Sequence, residues 1–184
     1  MRSLLPLAVF ALFACAHTPP TPPPPTPTHA PTPFTAAQIR GASADGRAWL
    51  FLLEEADKPA MHMRMEMSAV GDDTVALTRT VADATTGEPL GEAATSTATW
   101  AELVAHAEYP RDATTLADAM IDVPAGRFDA MHYTVSESSN GVEAVTEAWF
   151  ARALPGPPVL MLVRVGGAQA TKLTLLRHTP GTEP

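Results

Sequence analysis

The sequence is poor in the residues that mark several common classes of protein. Its 184 residues contain one cysteine, which excludes an internal disulfide, a Cys-x-x-Cys redox pair and a cysteine-based zinc site. Basic residues number 12 against 20 acidic ones, and the formal net charge of -8 argues against a nucleic-acid partner, which requires a basic face. The chain also lacks GxSxG, HExxH, phosphate-loop and EF-hand motifs. We therefore predict no catalytic residues, no metal site of these kinds and no cofactor, and we do not expect an enzyme.

Proline is distributed unevenly, and this divides the chain. Ten of the 19 prolines fall within the first 33 residues. Proline fixes φ and removes the backbone N–H, so residues 16–33 are expected to form an extended polyproline linker without regular structure. The remaining length suits a single domain. We predict a signal peptide over residues 1–14, a lipidated cysteine and proline-rich linker over 15–33, and a folded domain over 34–184.

The N-terminus carries the most specific signal. An apolar run over residues 4–14 has the length of a signal-peptide core and is too short to span a bilayer. Its end, residues 12–15 (LFAC), resembles a bacterial lipobox, which implies cleavage before Cys15 and acylation of that residue. Ala16 stands where an inner-membrane retention signal would have Asp, so the resemblance also implies the outer membrane as the destination, with the domain facing the periplasm. Two alternatives remain open, namely an ordinary signal-peptidase site that releases a soluble periplasmic protein and an uncleaved anchor.

Most of the domain has the patterns of β-strands. Alternation, turn signals and the Asn140-Gly141 hairpin predict short connections and antiparallel neighbours. Thr99 to Glu102 forms a capping box that begins the one convincing helix, which we expect to end near Ala107. A similar pattern at Thr35 predicts a short helical turn. The strands are predicted at residues 47–54, 61–70, 74–81, 92–99, 119–123, 128–136, 142–150, 159–165 and 168–177. This predicts a mainly β domain, a curved antiparallel sheet or partial barrel of about nine strands with one short helix.

Two of these strands, at residues 48–53 and 159–163, are apolar on both faces. Antiparallel sheets usually leave one face in water, so we expect a second layer over these strands. The helix and the N-terminal turn would supply it as ordinary core packing. The alternative is an apolar groove for an acyl chain or a similar ligand, with Trp49, Phe51 and Trp149 as its speculative lining.

The strand at 61–70 is rich in methionine. Met61, Met63, Met65 and Met67 alternate onto one face, and His62 falls on the other. Thioether sulfur is a ligand for Cu(I), and other strands could add Met131 and Met161, so a copper-binding protein is an alternative. Methionine is also common filler in irregular cores, and we favour that interpretation.

The last third of the chain resembles a group of uncharacterised bacterial envelope lipoproteins. The resemblance rests on a P-A-G-x-F hairpin at residues 124–128, a tryptophan-bearing strand at 146–151 and a Pro/Gly turn at 155–159. It transfers no catalytic residue, and Arg127 stands where the family often has a small residue. More remotely, such a sheet resembles the half barrels of the LolA/LolB lipoprotein carriers, which bind acyl chains in a concave cavity. The expected function is a membrane-anchored lipoprotein with a binding or scaffolding domain, its partner an apolar ligand or another envelope protein.

Overall fold

A computed structural model describes residues 27–182. The predicted signal peptide and Cys15 lie outside these residues. Nine strands form one unclosed antiparallel sheet in the order β4-β3-β2-β1-β9-β8-β7-β6-β5. The strands are β1 (Asp45–Glu55), β2 (Met61–Ser68), β3 (Thr74–Asp83), β4 (Ala94–Thr99), β5 (Thr114–Val123), β6 (Gly126–Ser139), β7 (Val142–Ala151), β8 (Leu160–Val165) and β9 (Ala168–Thr182). The predicted fold class is confirmed.

Helices cover one face of this sheet, which we call the helix face. They are α1 (Ala36–Gly41) and α2 (Trp100–Ala105), and a single 3-10 turn follows at Arg111–Ala113. Both helices begin with a complete capping box, at Thr35 with Gln38 and at Thr99 with Glu102. The predicted helical turn at Thr35 is thus a short helix of its own, and α2 ends slightly earlier than expected.

The indole of Trp100 ties α2 to the sheet. It is 5% exposed, and its Nε1–H donates to the carbonyl oxygens of Gly71 and Asp72 at 3.2 and 3.0 Å. Gly71 and Asp72 form the turn between β2 and β3. The first residue of α2 therefore fixes the helix over the end of these two strands.

The segment before α1 packs on the domain, although the sequence assigns it to the linker. The backbone N–H groups of Ala30 and Arg111 donate to the carbonyls of Tyr109 and Thr28, at 2.9 and 3.0 Å. The hydroxyl of Tyr133 donates to the carbonyl of Pro31 at 2.7 Å. Within the described residues, the segment from Thr28 to Pro31 therefore contacts the domain, because backbone carbonyls of a proline-rich segment can still accept hydrogen bonds.

Strand β1 shows how the two faces differ. Trp49 and Phe51 lie on the helix face at 1% and 0% exposure, and Leu50 and Leu52 alternate to the other face, where they are half-buried. In strand β8 both faces are half-buried, with Leu160 and Leu162 on the outer face and Met161 and Val163 on the helix face. The predicted second layer therefore covers the helix face, and these leucines of the outer face remain partly exposed.

Candidate ligand-binding cavity

An apolar cavity of about 270 Å³ lies between the helix face and the covering helices. The sheet contributes Trp49 from β1, Met65 and Met67 from β2, Leu77 from β3, Phe150 from β7 and Met161 from β8. Ile39 and Leu103 come from the two helices, and the remaining lining residues are His106, Ala107, Tyr109, Gly156, Pro157 and Pro158. An apolar cavity of about 150 Å³ is already large enough to bind benzene, so this one can hold a larger apolar group.

The pairing register of the strands places side chains from several strands around this cavity. Trp49 lies opposite Met65 on one side and His178 on the other, and cross-strand partners share a face. Phe150 reaches the same face from β7, and Met161 reaches it from β8 opposite Leu173. Residues that are distant in the sequence therefore form one wall.

The loop at residues 155–158 closes part of the cavity, and it depends on Gly156. This glycine has φ of +150°, and a Cβ atom there would lie 3.1 Å from Cζ2 of Trp49. A side chain would meet the indole directly. Glycine therefore lets the loop lie against the Trp49 ring.

His106 is the polar member of the lining and is exposed to solvent. It follows α2, and its Nδ1 lies 2.7 Å from the carbonyl oxygen of Glu102. Ala107, the next residue, is 9% exposed and also lines the cavity. The cavity thus reaches the surface beside the end of α2.

A buried cation lies next to the Trp49 wall. Arg47 is 2% exposed, and its Cζ is 4.6 Å from the centroid of the Trp49 ring, which is a cation–π contact. Its Nε–H donates to Nε2 of His178 at 3.2 Å. Among residues 27–182, no group accepts a hydrogen bond from its buried Nη1 atom.

Burial also changes the acidity of this pair. Burial lowers the pKa of Arg47 to about 10, which still leaves the guanidinium charged at neutral pH. Burial and then the nearby charge of Arg47 lower the pKa of His178 below 6.5. Both causes favour the neutral imidazole, whose Nε2 lone pair accepts the Arg47 hydrogen bond.

The three aromatic residues that the sequence suggests for a groove are not brought together. Trp49 lines the cavity, and Phe51 is fully buried in the core without lining it. Trp149 stacks on His132 with ring centroids 4.1 Å apart, on the face opposite to its neighbour Phe150. Phe150 takes the place in the cavity wall, and strict alternation along β7 could have indicated this.

Three of the four methionines of β2 belong to the core on the helix face or pack against it, and Met61 does not. Met67 is 3% exposed, Met63 packs against the buried cluster, and Met65 and Met67 line the cavity together with Met161. No group of three or more His, Cys, Asp or Glu residues that could hold a metal occurs within the described part of the chain. Copper binding through thioethers stays a prediction, which replacing Met63 and Met65 by Leu would test.

No protein-family model matches the chain, and no curated protein matches it. Between residues 27 and 182, no helix is both long and apolar enough to span a bilayer. The N-terminal sequence and the cavity are therefore the features of this chain that indicate a function.

Proposed function

We propose that this protein is an envelope lipoprotein whose β-domain binds an apolar ligand as a carrier or sensor, without catalysis. The observation that supports the binding function is the cavity, whose walls are almost entirely hydrocarbon and thioether. Clefts of this kind, with few polar groups, are typical of small-molecule sites. The cavity lies between the sheet and the helices, where side chains of a fully packed core would otherwise meet. A bound ligand would make the contacts that those side chains would make.

The size of the cavity indicates the size of the ligand. A methylene group occupies about as much volume as a water molecule, roughly 30 Å³, so the cavity accommodates about nine such groups. Each methylene that is buried contributes about 0.8 kcal/mol, or about a fourfold change in Kd. A medium-length alkyl chain therefore fits, and affinity should depend on its length in a predictable way.

Calorimetric titration with primary alcohols from hexanol to decanol tests this proposal. The full-length chain is made by cell-free synthesis without membranes, so that no lipid competes for the cavity. We expect Kd to fall by about fourfold for each added methylene. Absence of binding by every alcohol, with the protein folded, would contradict the proposal.

A matched pair of variants locates the binding site. Ala107→Leu adds carbon atoms inside the cavity, so it should weaken decanol binding and affect hexanol much less. Ala105→Leu makes the same change on the exposed side of α2 and serves as the control. Equal effects of the two variants on decanol would place the alcohol elsewhere.

The membrane anchor is a separate part of the proposal and has its own test. Its support is the lipobox-like sequence that ends at the single cysteine of the chain, Cys15. Several acyl chains on one residue anchor a protein stably, whereas a single chain binds only marginally. Cys15→Ala should abolish incorporation of labelled palmitate in bacteria, and labelling that persists would refute the anchor.

A further inference from the structure

The buried cation beside the cavity indicates what kind of apolar ligand the protein takes. A purely apolar ligand would need no charge, and burying a guanidinium without full hydrogen bonding costs free energy. Arg47 nevertheless lies buried, with Nη1 unpaired among the described residues. No acidic side chain forms a salt bridge with Arg47 in that part of the chain.

Trp49 connects this cation to the cavity. Its ring forms part of the cavity wall, and the guanidinium carbon lies 4.6 Å from the centroid of the same ring. The same aromatic side chain therefore contacts both the apolar cavity and the guanidinium that carries the unpaired donor, while Arg47 itself does not line the cavity. His178, whose ring centroid lies 5.7 Å from that of Trp49, orients the guanidinium through Nε.

We propose that the ligand is an amphiphile with an anionic head, whose alkyl chain fills the cavity and whose carboxylate accepts a hydrogen bond from Nη1 of Arg47. This inference rests on the proposed function, since it names the chemical class of the ligand. The carboxylate supplies the hydrogen-bond acceptor that Nη1 lacks, and it also supplies the negatively charged partner that the guanidinium lacks. Because Nη1 is shielded from solvent, the Trp49 ring must move slightly when the head group binds.

Three probes with the same alkyl chain separate the head from the chain. Decanoate, decanol and decyltrimethylammonium are titrated into the full-length chain below their micelle concentrations. We expect decanoate to bind about 10- to 100-fold more tightly than decanol, the usual range for a hydrogen bond to a charged group. The cationic probe should bind more weakly than decanol, because it places a second positive charge near Arg47.

Variants of Arg47 then test whether this residue provides the preference. Arg47→Met should bring the ratio of decanoate affinity to decanol affinity down to about one, a change in the ratio that loss of a merely structural arginine would not produce. Arg47→Lys, which keeps the positive charge, should keep part of the preference for decanoate. Arg177→Met removes the same charge from an exposed residue that pairs with Leu50, and it should change nothing.

The possible results distinguish the two proposals. If decanol binds and decanoate binds no better, or if Arg47→Met retains the full preference, the anionic head group is refuted and the apolar site stands. If none of the three probes binds, both proposals fail. Should Arg47→Met not fold, the order of the three probes on the unmodified protein and on Arg47→Lys still decides the question.

Discussion

Replacing Phe34 by Ala tests whether the segment before α1 is part of the folded unit. Phe34 is 5% exposed and packs edge-on against Phe150, with ring centroids 6.3 Å apart. Phe150 in turn packs edge-on against Tyr133 at 5.5 Å. Truncation of a buried phenylalanine removes this packing and leaves a cavity, which typically costs about 3–5 kcal/mol.

This cost is a large fraction of the stability of a small domain, which is about 5–15 kcal/mol. For a domain of this size it corresponds to a fall in Tm of roughly 6–20 °C. Urea denaturation followed by tryptophan fluorescence measures the free energy of unfolding, with Leu90→Ala as a control because Leu90 is 52% exposed. A loss below about 1 kcal/mol for Phe34→Ala would refute the reasoning, because it would mean that the segment does not pack stably.

Three further predictions concern the loop, the N-terminal segment and the second helix. Gly156→Ala should destabilise the domain by about 1–3 kcal/mol and change the Trp49 fluorescence, because the new methyl group meets the indole; an unchanged urea midpoint would contradict this. Tyr133→Phe removes the hydrogen bond to Pro31 and should cost about 0.5–1.5 kcal/mol. Since burial raises the pKa of Tyr133 above 10, ionisation also removes stability as pH rises past 10, and alkaline unfolding should be less steep in Tyr133→Phe. Hydrogen bonds from the backbone N–H and then the hydroxyl of Thr99 lower the pKa of Glu102. Thr99→Ala removes only the hydroxyl bond, so it should raise that pKa part of the way towards its ordinary value in an NMR titration.

The sheet was predictable because its signals are local. Alternation identified β2 and β3, Asn140-Gly141 marked the hairpin of β6 and β7, and capping boxes marked both helices. Strand β5 was predicted at about half its length. Its first half is largely exposed and lies at the edge of the sheet, so pairing with β6 rather than its own pattern makes it a strand.

The composition of the cavity was less predictable, because it depends on which residues face one another across strands. Of the aromatic residues that the sequence suggests for a groove, Trp49 lines the cavity, and on β7 the lining residue is Phe150 rather than its neighbour Trp149. A shift of one residue exchanges the faces of a strand, which is why these neighbours lie on opposite faces. Arg47 also gave no signal in the sequence, where an arginine at the start of a strand suggests solvent.

The sequence alone determines the composition of the two regions, the strand and helix signals and the lipobox-like end at Cys15, because each depends on neighbouring residues. Only the tertiary structure decides that the segment from Thr28 packs on the sheet, that an apolar cavity lies over Trp49 and that Arg47 is buried beside it. These features depend on the order of the strands and on pairing between residues that are far apart in the sequence. Strands β1 and β9, for example, lie at opposite ends of the domain sequence and are neighbours in the sheet. Burial and hydrogen-bond satisfaction are properties of that arrangement, and no local pattern encodes them.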